Sequence, residues 1–83
     1  MSDIHYNQLK SLSARQLISA LFRDGFRLVH QQGSHQQYGN ADGRRVTVTF
    51  HSPSQTFPLK TLKSMLEKQA HWNLEDLKRL DII

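Results

Sequence analysis

Residues 35–50 read HQQYGNADGRRVTVTF, and the fold depends on whether they form a hairpin. In the second half, Val46, Val48 and Phe50 fall on one face of an extended chain. Arg45, Thr47, Thr49 and His51 fall on the other. That is the two-residue period of a strand with one buried face. The first half is weaker, with Tyr38 as its single sizeable apolar side chain. Between them lies NADG, a strong turn sequence. A turn followed by a clear strand predicts antiparallel pairing of residues 35–39 with residues 45–50.

Towards the N-terminus, FRLVHQQ alternates Phe26, Leu28 and His30 with Arg27, Val29 and Gln31, and reads as another strand. That phase puts His30 with Phe26 and Leu28, in a partly buried structural position. Before it, LSARQLISALFRDG carries helix signals at both ends. Ser13 and Gln16 have capping-box spacing, with Leu12 and Leu17 at the staple positions. Leu17, Ile18, Leu21 and Phe22 form one apolar stripe, and Gly25 supplies a left-handed stop.

Towards the C-terminus, SPSQTFP is a connecting loop. Pro58 sits in the first turn of a helix through LKTLKSMLEKQA, whose stripe is Leu59, Leu62, Met65 and Leu66. Trp72 reads as a cap on the core. Asn73 is placed to cap a short last helix, LEDLKRL, with Glu75 and Asp76 in its first turn and Leu74, Leu77 and Leu80 on its inner side. Residues 1–11 read as an N-terminal arm and residues 12–83 as a single domain. The order α-β-β-β-α(α) predicts an α+β, two-layer sandwich. Its three-stranded antiparallel sheet has helices on the Val46/Val48/Phe50 face and an open opposite face.

Eighty-three residues leave room for one modest core and a surface groove rather than a large enclosed cofactor pocket. With no cysteine, disulfides and thiolate metal sites are excluded. No apolar run approaches a membrane span and the first residues lack a signal-peptide layout, so a cytoplasmic protein with no membrane partner is expected. Lys plus Arg outnumber Asp plus Glu by 11 to 7, for a net charge of +4. The balance favours a polyanionic partner, nucleic acid first and an acidic protein second.

Strand parity then draws attention to His35. If Tyr38 and Gln36 turn inward, His35 and Gln37 turn outward, beside the Gly33-Ser34 turn. Amides and the Ser34 hydroxyl at such a turn suit a phosphate oxygen, and Gly33 lets a ligand approach the backbone. Free imidazole has a pKa of about 6.5, so both its acid and base forms exist near neutral pH. Cleavage of RNA by its own 2′-hydroxyl needs that chemistry and no metal. The residues alone leave two readings open: a turn with an incidental surface histidine, or a catalytic one. Further candidates for substrate contact are His51 at the end of the third strand, Arg44 and Arg45 after the hairpin turn, and Lys60 near a helix N-terminus. Each also has an ordinary structural reading. His5 and His71 read as surface residues, and the histidines show no metal-ligand spacing, so no metal site and no cofactor are expected.

A helix ending in DGF, GSH opening a second strand, VTVTFH, and a helix reading TLKSMLEKQA together resemble the HicA (YcfA-like) family of bacterial toxins, over residues 12–77. The resemblance implies a fold like the double-stranded-RNA-binding domain. It also implies the toxin of a type II toxin–antitoxin system, a ribosome-independent mRNA interferase with a single catalytic histidine, here His35. It further implies a HicB-type antitoxin that masks the site. The chain departs from the family pattern in its polar QQYG second strand and in TFPLKT, which lacks a glycine before Thr61. Two other functions fit the same charge and fold: a non-catalytic RNA-binding module, and a protein-interaction domain with no RNA role.

Overall fold

The first helix, α1 (Ala14–Arg23), begins at the predicted capping box. Gln16 N donates to Ser13 Oγ at 3.2 Å, and Ser13 N donates to Gln16 Oε1 at 2.9 Å. Two further first-turn amides, of Ala14 and Arg15, donate to the carbonyls of Gln55 (2.8 Å) and Pro53 (3.0 Å). The loop after the third strand therefore completes the helix N-terminus. The other end closes as a Schellman motif: Gly25 has φ 93°, Gly25 N donates to the Phe22 carbonyl, and Phe26 N donates to that of Leu21. Ala14, Leu17, Ala20 and Leu21 form the buried side, whereas Phe22 is 44% exposed. Phe22 instead stands edge-on to Tyr38 under the Arg27 guanidinium. The computed structural model describes residues 4–83.

Three antiparallel strands follow, β1 (Arg27–Gln32), β2 (His35–Gly39) and β3 (Arg45–Thr49), in the order β1-β2-β3. The predicted hairpin is present: His35 faces Thr49, Gln37 faces Thr47 and Gly39 faces Arg45. Tyr38, Val46 and Val48 point into the core. Between β1 and β2, Gly33 takes φ 59° at the first position of a two-residue turn, the geometry that only glycine adopts freely.

β1 differs from its predicted phase. Its turn sets Gln32 opposite His35 on the open face, so strict alternation would put Leu28 and Phe26 on that face too. Burying Phe26, and placing Leu28 beside inward-facing Tyr38, requires one extra residue. A bulge at Val29, between the pairs Leu28↔Tyr38 and His30↔Gln37, provides it. His30 therefore lies beside Gln37, exposed, and its partly buried assignment is corrected.

The helical layer covers the other face of the sheet. Pro58 lies one position earlier than predicted, as the N-cap of α2 (Leu59–Lys63). The helix continues as a π-helical stretch, Ser64–Gln69, marked by Ala70 N donating to the Met65 carbonyl at 2.9 Å. Leu62, Met65 and Leu66 are buried, but Leu59 is 53% exposed because the first turn overhangs the core. From the π-helical stretch Gln69 reaches the free edge of β3, where Thr47 N donates to its Oε1 at 2.8 Å. Asn73 and Asp76 form a second capping box at the start of α3 (Leu74–Arg79). Trp72 is buried edge-on to Phe26, as a core cap should be.

Asp24, at the end of α1, joins these layers. It accepts from Trp72 Nε1 (2.8 Å) and Arg79 Nη2 (3.0 Å), and pairs with Arg44 Nη2 at 3.1 Å. Burial alone would raise its carboxyl. The hydrogen bonds from Trp72 and Arg79 and the charges of Arg44 and Arg79 outweigh that and hold it below the usual carboxylate range. Of the arm expected over residues 1–11, residues 1–3 lie outside the described residues. Tyr6–Leu9 form a 3₁₀ turn with Leu9 buried, and the Tyr6 hydroxyl donates to Glu67.

Candidate functional site

The open face of the sheet is assembled from alternate residues of each strand. β2 contributes His35, Gln37 and Gly39; β3 contributes Arg45, Thr47 and Thr49, opposite them in register. On β1 the turn register sets Gln32 and His30 on the same face, the bulge adds Val29, and Arg27, opposite Gly39, folds its guanidinium back to Phe22. None of these side chains is acidic, so among the described residues no strand carboxylate on the face opposes a phosphodiester.

His35, the first residue of β2, is exposed. Its Nδ1 lies 2.9 Å from Thr49 Oγ1 across the strand pair. This contact fixes the ring's orientation and, among the described residues, leaves Nε2 without a protein partner. When Nδ1 carries the proton and donates it to the threonine, the Nε2 lone pair faces solvent, ready to accept a proton. Thr49 was missed as a site residue. The signal was available, because the hairpin register puts residue 49 opposite residue 35.

Gly33 and half-buried Ser34 form the turn immediately before His35, and the Ser34 carbonyl accepts from Phe50 N at 3.2 Å. This bond carries the pairing one residue beyond Thr49, with His51 next in the chain. His51 is exposed, with its amide donating to Gln55 Oε1 at 2.9 Å. Gln55 in turn ties the loop to α1 through its carbonyl. Gly33, Ser34, His35 and Thr49 thus gather at one end of the face, with His51 two residues beyond Thr49 in the chain.

The two arginines after the hairpin turn diverge. Arg45 is exposed and lies over Gly39: a Cβ at that glycine would sit 3.5 Å from Arg45 Nε and 3.2 Å from Val29 Cγ1. It has no ion-pair partner among the described residues. Arg44 turns the other way, to Asp24, to Asp42 (2.7 Å), to the Ala70 carbonyl (2.6 Å) and over the Phe26 ring (4.9 Å). Those contacts make it a brace between hairpin and helices rather than part of the open face. Lys60 is exposed at the start of α2, in the helical layer, and no contact joins it to the His35 cluster. His5 and His71 are exposed, as expected. Among the described residues no three His, Asp or Glu side chains gather as a metal site, and no helix is long and apolar enough to cross a membrane.

No curated protein matches the chain. The family model described as the HicA toxin of bacterial toxin–antitoxin systems matches residues 14–72, from the first residue of α1 to the buried Trp72. That span holds α1, all three strands, the Gly-Ser turn and α2, and covers well over half of the 83 residues. The chain belongs to the HicA toxin family.

Proposed function

We propose that this toxin is an endoribonuclease that cleaves mRNA without a metal, acting in the cytoplasm, with His35 moving a proton at the scissile phosphodiester. The observation that carries the reading is the exposed His35 ring, tied through Nδ1 to Thr49 on a face whose strand residues carry no carboxylate. RNA lies along that face with its phosphate at the Gly33-Ser34 turn, where amides and a hydroxyl meet its oxygens. Arg45 supplies positive charge at the far end of the face, and His51 stands at the near end. Family membership implies a cognate antitoxin. Our reading is a HicB-type protein that presents acidic groups to the same face and competes with RNA for it.

The test is incubation of labelled RNA with pure protein in EDTA, comparing wild type with His35→Ala. Wild type is expected to give products and His35→Ala none, at nearly unchanged thermal stability. General acid–base assistance contributes about 10²–10⁴-fold, so the loss is large on a gel. A folded His35→Ala variant with full activity refutes the assignment. RNA that is bound with strong salt dependence but left intact by wild type identifies a non-catalytic binding module instead.

A further inference from the structure

Transesterification at an RNA phosphodiester needs two proton transfers: one from the attacking 2′-hydroxyl and one to the departing 5′-oxygen. His35 accounts for one of them. β1 supplies a group for the other. The two-residue turn sets Gln32 opposite His35, so His30, two residues back, pairs with Gln37 on the open face, and the bulge at Val29 then turns Leu28 and Phe26 to the inward side. Gln32 is the residue opposite His35, which makes His30 its diagonal neighbour on the same face. Such diagonal Cα atoms are about 7–8 Å apart, within reach of ring side chains. His30 is exposed, and among the described residues neither of its ring nitrogens has a protein partner.

We infer that His30 is the second proton-transfer group of this site, acting as general acid to His35 as general base; the inference rests on the ribonuclease reading above. His35 Nε2 takes the 2′-hydroxyl proton while O2′ forms its bond to phosphorus. The P–O5′ bond breaks, its electron pair leaves on O5′, and that oxygen takes a proton from the His30 imidazolium. The products are a 2′,3′-cyclic phosphate and a 5′-hydroxyl, and the two imidazoles recover their starting protonation by exchange with water. His30 shares the face with Gln32 and Val29 of its own strand, with His35 and Gln37 of β2, and with Arg45, Thr47 and Thr49 of β3. Beyond them lies His51. The titratable and charged groups in that set are His35, Arg45 and His51, with Arg27 opposite Gly39 on β1; among the described residues no strand carboxylate on the face competes for the proton, and the helices pack on the opposite side.

The test uses two substrates: an RNA oligonucleotide, and uridine 3′-(4-nitrophenyl phosphate), whose phenolate departs without being protonated. His30→Ala is expected to lower kcat on RNA about 100-fold or more while changing the aryl ester less than about threefold. It also removes the alkaline limb of the pH–rate profile on RNA and leaves binding of 2′-O-methyl RNA unchanged. Unchanged cleavage of RNA overturns the inference, as does an equal loss on both substrates or a loss confined to binding. The leaving-group-dependent loss appearing in His51→Ala instead overturns it too. Wild type that cleaves neither substrate overturns the ribonuclease reading, and this inference with it.

Discussion

Thr49→Val is the most direct probe of how the fold prepares His35. Valine keeps the shape and β-branching of threonine, and residue 49 is exposed at the end of β3, where the bond from Phe50 N to the Ser34 carbonyl continues the pairing past it. The sheet therefore survives and one hydroxyl is lost. What disappears is the 2.9 Å contact between Thr49 Oγ1 and His35 Nδ1. An ordinary exposed hydrogen bond contributes about 0.5–1.5 kcal/mol net. If that energy serves wholly to hold the imidazole in its reactive orientation, kcat falls about 2- to 13-fold, since about 1.4 kcal/mol corresponds to a tenfold change. The assay is steady-state cleavage of a fluorogenic RNA across a pH series, with Thr49→Ser alongside. Serine restores the hydroxyl and is expected to recover most of the rate. In a His35→Ala background, Thr49→Val has no further effect, because the two residues act as one unit. Wild-type activity in Thr49→Val, or equal losses in the Val and Ser variants, would show that the contact does not position the ring.

Two further predictions concern stability. Asp24→Asn removes the charge shared by Arg44 and Arg79 and is expected to cost about 1–3 kcal/mol at pH 7 by urea unfolding. Because the folded carboxyl titrates below its unfolded value, its contribution is present above about pH 4 and is lost as the pH falls through the folded value. The gap between wild type and variant should therefore narrow between pH 6 and pH 3; a gap independent of pH refutes the account. Gly25→Ala forces alanine into φ 93°, with its Cβ 3.4 Å from Asn40 Nδ2. A destabilisation of about 1–3 kcal/mol is expected by thermal or urea denaturation, and none at all would contradict the helix-stop argument.

Near-neighbour chemistry in the chain decided much of this molecule in advance. The capping box at Ser13 and Gln16, the left-handed Gly25 and the hairpin around residues 40–43 each depend on a few adjacent residues and form as read. The outward direction of His35 belongs to the same class, because side-chain parity in a strand follows from Tyr38 being buried. The phase of β1 was decided elsewhere. The turn at Gly33 directs Gln32 and His30 outward while the core demands Phe26, and the conflict is resolved by a bulge at Val29 that returns Phe26 inward. Two adjacent arginines of identical local character diverge for a similar reason. Arg44 finds Asp24 and the Ala70 carbonyl, groups brought to it from distant parts of the chain, while Arg45 finds solvent. Leu59 and Phe22 fit their helical stripes yet stay exposed, since a stripe records periodicity and not where the neighbouring layer ends. Caps, stops and parity are local and were legible. Bulge position, ion-pair choice and the extent of the core are set by all layers closing at once, which only the assembled fold determines.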